Sequence, residues 1–249
     1  MRAFHAELSK LISLPGIWLA LLIGAFAPAV IAALDSTAQK EEIIAGVSTR
    51  LSEVGYIGLA LGVQGAIILG VLAVSSEYLT ESSESGRGQQ ITTSLTVISS
   101  RLYFLLAKAG AVTVLSILLS MVAIMTTASA THFILGEYAP AFEWSKLMGA
   151  VCYWTFTALL AFGITVLTKN GIIPLTVLII NSSVVSFSFL LSRVTKLAFY
   201  LPDRAGTDMF MFTSDRLHTP FIGGLIMFAW VAVLFIVAAV VFHKRDVAS

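Results

Sequence analysis

Apolar residues run along this chain in six long stretches, at Gly16–Leu34, Tyr56–Ser75, Leu102–Thr131, Lys146–Leu167, Ile172–Leu191 and Phe221–Phe242. Polar connectors separate them. A hydrocarbon core about 30 Å thick takes about 20 apolar residues per helical crossing. Each stretch meets or approaches that length. With no water in the bilayer core, backbone N–H and C=O groups must pair within the segment, so the stretches are predicted helices. The pattern predicts an all-α integral membrane protein, residues 1–249 forming a single transmembrane domain of six spans.

Two further elements are expected outside the bilayer. Before the first span, Phe4, Leu8, Leu11 and Ile12 recur at helical spacing among His5, Glu7, Ser9 and Lys10, which predicts a short amphipathic helix lying in the membrane interface. Pro15 disfavours helical geometry at Leu14 and should separate that helix from the span. The second connector, Ser76–Arg101, is the most polar piece on its side of the membrane. Gly86 and Gly88 suggest a turn, and Ile91, Leu95 and Ile98 after them predict a second short amphipathic helix. The third apolar stretch is long enough to project from the bilayer or to kink. Pro28, inside the first span, should kink it by removing a ladder hydrogen bond. The first apolar run is longer than a signal-peptide core and reads as a retained span.

Composition agrees with this layout: 57% of residues are hydrophobic and 12% charged, with mean hydropathy +0.92. A net charge of +1 points to no nucleic-acid partner. No connector is long enough for a soluble catalytic domain. The lone Cys152, inside an apolar stretch, reads as a small buried side chain. An even number of spans places both termini on one side. Assigning that side to the cytoplasm divides the fifteen basic residues eight to seven, so charge alone scarcely orients the chain.

No acidic or basic residue lies near the middle of a span, which argues against a proton relay. Neutral polar groups do occur there: Gln64 in the second span, Thr113, Ser116 and Ser120 in the third, Asn181, Ser182, Ser183, Ser186 and Ser188 in the fifth. Such groups tie helices together or line a path. Gln64, Asn181 and Phe187 are the candidate path residues. Gly58, Gly62, Ala66 and Gly70 recur every four residues in the second span, a small-residue face that lets helix backbones approach closely. The sequence contains no phosphate-binding Gly-Lys loop, no His-Glu-x-x-His site and no serine-hydrolase elbow. No catalytic residue and no metal site emerge.

These features together resemble an ABC-2 type permease, the membrane half of an ATP-binding-cassette exporter. Ser76-Glu77-Tyr78 at the end of the second span is similar to the Glu-Tyr/Phe of such permeases. Ile91-Thr-Thr-Ser-Leu95, then Ser100-Arg101 and Ala107-Lys108, resembles their Thr-Leu…Pro-x-Arg…Ala-Lys run, although the proline is absent. Tyr200-Leu201-Pro202…Ala205-Gly206 is similar to their outer-loop Leu-Pro motif, and Lys244-Arg245-Asp246 to their basic-basic-Asp terminus. The resemblance implies a multi-pass protein of the plasma membrane with both termini cytoplasmic. It implies that residues 88–95 form a coupling helix that docks on an ATPase, with Ile91 and Leu95 as anchors, and Gln89, Gln90 and Thr92 as the polar rim. Glu77 would pair with Lys10 or Arg101 and tie that segment to the N-terminal helix. The implied assembly holds two ATPase subunits and a second permease, identical or a paralogue, in the lipid bilayer. No cofactor is bound directly; ATP and Mg enter through the ATPase. The implied activity is export of an amphipathic or hydrophobic cargo, a peptide, antimicrobial or drug. An ion-coupled transporter or channel and a non-transporting scaffold are the alternatives.

Overall fold

The computed structural model describes residues 2–48, 50–78, 101–182, 186–211 and 216–244. The segment 79–100, with Gln89, Gln90, Ile91, Thr92 and Leu95, lies outside the described residues. Among the described residues the secondary structure is helical, with no strand.

Helix α1 spans Arg2–Ser13, and α2 spans Pro15–Ile44. Leu14 between them is extended (φ −75°, ψ 123°) and Pro15 occupies the first turn of α2, the break expected of a residue before proline. The second apolar stretch forms α3, Tyr56–Leu61, and α4, Gln64–Ser75, followed by a tight turn at Ser76–Tyr78. Then come α5, Arg101–Leu135, α6, Trp144–Thr168, α7, Ile172–Asn181, and α8, Phe187–Ser192. A turn at Lys196–Tyr200 leads to α9, Pro202–Thr207, and α10, Pro220–Lys244, is the last helix among the described residues.

Among the described residues, five helical segments are long and apolar enough to cross a membrane: Pro15–Ile44, Tyr56–Tyr78, Leu102–Tyr138, Trp144–Thr168 and Pro220–Phe242. The fifth expected span differs. Residues 172–191 are not one helix but α7 and α8, of ten and six residues, meeting near Asn181. Asn181 Oδ1 accepts from the Ser188 amide at 3.2 Å and its hydroxyl at 3.1 Å, so a polar side chain bridges the interruption. The surface character is decisive for the environment. Phe221, Phe228, Val233 and Ile236 on α10, and Trp18, Leu22, Phe26 and Val30 on α2, are all more than half exposed. An apolar surface of that extent is unstable in water and suits hydrocarbon. The protein is a multi-pass, all-α membrane protein.

Inside the bundle, α3 and α4 lie against α2 on one side, and α4 lies against α6 on the other. Glycines permit both contacts. A Cβ at Gly58 would fall 2.4 Å from the Pro28 carbonyl oxygen, and one at Gly62 would fall 2.2 Å from the Pro28 ring. A Cβ at Gly65, which the four-residue spacing omits, would fall 2.4 Å from the Gly24 Cα. Gly70 turns the other way, where a Cβ would lie 2.1 Å from the Ala158 carbonyl of α6. The small residues therefore serve two neighbours rather than one face, and both neighbours belong to the same chain. Ala66, fully buried, fits between them.

Helix α2 runs through Pro28 without ending. Thr126 Oγ on α5 donates to the Ala25 carbonyl at 2.6 Å, one turn before the proline. Trp154, fully buried on α6, donates to the Leu59 carbonyl at 2.9 Å, near the α3–α4 break. The hydroxyls of Thr113, Ser116 and Ser120 instead bond carbonyls of their own helix.

Gly70→Ala is expected to destabilise the bundle by about 1–3 kcal/mol, since backbone rather than a flexible side chain must yield. Gly163→Ala, whose Cβ would meet Leu234 at an ordinary 3.5 Å, is expected to be neutral or slightly stabilising. Thermal unfolding in detergent, followed by circular dichroism, compares the two.

Candidate functional site

Two polar regions occupy opposite ends of the bundle. The first lies where α1, the turn after α4 and the start of α5 converge. Glu7 and Lys10 sit three residues apart on α1 and so share a face. Glu77 stands in the Ser76–Tyr78 turn, and Lys108 stands two turns into α5. Lys10 Nζ lies 2.5 Å from Glu77 Oε1 and Lys108 Nζ lies 2.9 Å from the same oxygen. Lys108 Nζ also lies 2.6 Å from Glu7 Oε2. Glu7, Glu77 and Lys108 are buried, and Lys10 reaches in from the rim.

Two carboxylates and two ammonium groups thus make a charge-balanced chain in a nearly dry site. Val74, Phe104, Phe162 and Phe242 wall it, and about 10 Å³ of open space remains beside it. The Lys108 ammonium also lies 5.3 Å from the centre of the Phe104 ring. Buried charges of this kind depend on one another, because desolvation is compensated only while every partner stays in place.

The pairing of Glu77 with Lys10 is the one the sequence suggested. The side chain of Arg101, the other expected partner, is outside the described residues. Sequence reasoning missed Glu7 and the part played by Lys108. A signal existed: a lysine inside an apolar stretch, with no acidic residue one turn away on its own helix, needs a carboxylate from elsewhere.

The second region is at the far end, around the α7–α8 interruption. Two cavities meet there, of about 370 Å³ and 520 Å³, and Tyr153, Asn181, Ser182 and Asp203 line both. The first is the more polar of the two, with Arg50, Glu53, Ser186, Arg204 and Asp208 in its wall. The second is largely apolar, walled by Ile67, Leu160, Val177, Leu178, Phe187 and Leu191. The structure brings together two of the three path candidates, Asn181 and Phe187. Gln64 is half-buried at the start of α4 and lines neither cavity. Asp203 and Arg204 were not among the candidates, since the sequence gave no reason to fold their loop back over the fifth stretch.

Several contacts pin that loop. The Trp230 indole of α10 donates to the Tyr200 carbonyl at 2.8 Å. Gly206 lies so close to Tyr153 that a Cβ would fall 2.4 Å from the ring. Asp208 Oδ2 accepts from the His218 amide at 3.3 Å. Burial pushes the Asp208 carboxyl above its ordinary value, and the His218 amide and the charges of Arg204, His218 and Arg216 offset this in part. Burial likewise raises Asp203, against the partial relief of Ser188, the Arg204 amide, Asn181 and Ser186.

No protein-family model matches this chain, and no curated protein matches it significantly.

Lys108→Met strands the buried Glu7 and leaves Glu77 with Lys10 alone. It is expected to cost about 3–5 kcal/mol, and so is Glu77→Gln if Lys108 is left in place. The double variant Glu77→Gln/Lys108→Met keeps the charges balanced and is expected to unfold at a higher temperature than Lys108→Met alone. Equal midpoints would show that the two groups are not coupled.

At the far end, a carboxyl raised in the folded state holds its proton more tightly than in the unfolded chain. Its contribution to stability is complete below the unfolded value of about 3.8 and is lost as pH rises through the higher folded value. Asp203→Asn removes that loss, so the variant is expected to gain stability relative to the unmutated protein as pH rises from about 4 to 7. Unfolding midpoints of both proteins across that range give the comparison. A constant difference contradicts the assignment.

Proposed function

We propose that this protein is the membrane subunit of an ABC exporter of the ABC-2 type, driven by a separate ATPase. One observation carries the reading. Three pieces of sequence on which the resemblance rests, the N-terminal helix, Glu77-Tyr78 and Ala107-Lys108, lie far apart along the chain and meet in one buried ion cluster. Glu77 and Tyr78 directly precede, in sequence, the polar segment proposed to contact the ATPase, residues 79–100. A transmission point for force needs rigidity, and mutually dependent buried ion pairs that join three helices supply it.

In this reading the ATPase pushes on the 79–100 segment, with Ile91 and Leu95 as anchors and Gln89, Gln90, Thr92 and Arg101 around them. The Glu77 turn and Lys108 pass the displacement to α4 and α5, and Glu7 and Lys10 carry α1 along. Differential binding of nucleotide to the two states of the assembly supplies the shift, because no ligand moves an equilibrium without such a difference. ATP and Mg reach the complex through two ATPase subunits. The active unit contains a second permease, identical or a paralogue, and sits in the plasma membrane with both chain ends cytoplasmic. The interrupted fifth stretch and the cavities beside it, with Asn181 and Phe187, are the proposed cargo region. Their mixed polar and apolar walls suit an amphipathic cargo moving outward.

Purification in mild detergent is expected to recover a soluble ATPase with a phosphate-binding Gly-Lys loop. Glu77→Gln is expected to leave that ATPase bound while uncoupling ATP hydrolysis from cargo efflux in liposomes. Uphill transport by the chain alone, driven by an ion gradient, would instead support a secondary transporter.

A further inference from the structure

The α9 end of the bundle contains two charged groups that the protein satisfies only in part. Asp203 Oδ1 is buried without a hydrogen bond, and so is Nε of the adjacent Arg204. The charges around them have partners. Arg50 pairs with Glu53 at 3.5 Å, and Asp208 takes the His218 amide. The Arg204 guanidinium lies over the rings of Phe189 and Phe199, at 5.5 Å and 5.2 Å, which holds its plane without satisfying its edge. The Asp203 carboxylate has Ser188, Asn181, Ser186 and the Arg204 amide around it, yet its Oδ1 lacks a donor and Arg204 Nε lacks an acceptor; a cation that donates hydrogen bonds suits the first and an anionic oxygen the second.

The two residues are neighbours in sequence and share the wall of the 370 Å³ cavity. Asp203 also lines the adjoining apolar cavity of about 520 Å³. Val177 and Phe187 line that second cavity and are 59% and 65% exposed on the bundle's apolar exterior. A chain in the surrounding hydrocarbon therefore has an apolar route to the charged pair.

We infer that these joined cavities bind a single-chain zwitterionic lipid, with its amine on Asp203, its phosphate on Arg204 and its acyl chain between α6, α7 and α8. The inference deepens the export reading and rests on it for the ligand's fate; binding itself requires no ATPase. A zwitterion that carries an amine and a phosphate fits the site better than a lone cation or a lone anion would. An unpaired donor and an unpaired acceptor stand side by side, and guanidinium geometry matches phosphate oxygens.

The test uses the full chain purified in dodecyl maltoside and titrated by calorimetry with three probes of equal tail length: 1-myristoyl-lysophosphatidylethanolamine, tetradecylamine and tetradecyl phosphate. The lysolipid is expected to bind one site at least tenfold more tightly than either singly charged chain. Asp203→Asn should reduce lysolipid affinity to that of tetradecyl phosphate, and Arg204→Gln to that of tetradecylamine. Val177→Trp, at an exposed position that folding tolerates, should weaken all three probes by blocking the apolar cavity. Equal affinity for the three probes on the unmutated protein overturns the inference even if the charge variants fail to fold. Tighter binding of a hexaleucine peptide with free termini than of the lysolipid also overturns it, in favour of a peptide site. Lost lipid binding with the ATPase still co-purifying defeats this inference alone. Retained lipid binding with no ATPase recovered defeats the transport reading alone.

Discussion

Helices in hydrocarbon gain nothing from hiding apolar side chains from one another, because lipid tails are as apolar as leucine. Close approach of backbones takes over that role, and the rest of this structure depends on it. The α3–α4 segment is the axis of the bundle. Gly58, Gly62 and Gly65 admit α2 along one side, and Gly70 admits α6 along the other. Pro28 sets its ring and its own carbonyl into the groove these glycines leave. The same proximity puts Trp154 within reach of the Leu59 carbonyl and Thr126 within reach of the Ala25 carbonyl. Packing and hydrogen bonding are thus one device: small residues bring the helices together, and nearby donors then serve the backbone at its interruptions.

The buried ion cluster follows from that axis. The turn that closes α4 delivers Glu77 to the flank of α5, where Lys108 is already held in an aromatic wall. Neither charge could remain buried alone. Glu7 and Lys10 on α1 complete the balance, and α1 is thereby fixed to the bundle through charge as well as through Phe4 and Leu11. Such a joint resists bending, because separating any pair exposes an uncompensated charge in a dry site. The proposed coupling to an ATPase draws on this rigidity at one end and on openness at the other. At the far end the fifth stretch stops at Asn181 and resumes at Phe187, and a folded-over loop supplies Asp203 and Arg204. Interrupted helices are tolerated at membrane depth only where polar groups meet the freed backbone or a cavity is lined, and both conditions hold here.

Much of this was legible in the residues. Apolar length predicts the spans, and Pro15 predicts the break between α1 and α2, since a residue before proline avoids helical geometry. The glycine spacing predicts close helix contact. The resemblance implied a pairing of Glu77 with Lys10 or Arg101, and the structure pairs it with Lys10. The division of the fifth stretch was not legible, because Asn181 and its serines read equally well as helix-to-helix ties. Nor was the role of Gly65, which falls outside the four-residue repeat and meets a glycine on another helix.

What the chain determined by itself is local. Its apolar runs fix the environment, and its prolines and glycines fix where helices begin and how closely they can pack. Tertiary structure decided which distant groups become partners. Lys108 chooses between isolation and a network only when α1 and the α4 turn arrive beside it. Asp203 becomes a cavity wall only when its loop folds over Tyr153. The reason is physical: hydropathy and backbone preference act over a few neighbouring residues, whereas charge compensation and cavity formation depend on distances between segments that sequence order does not set.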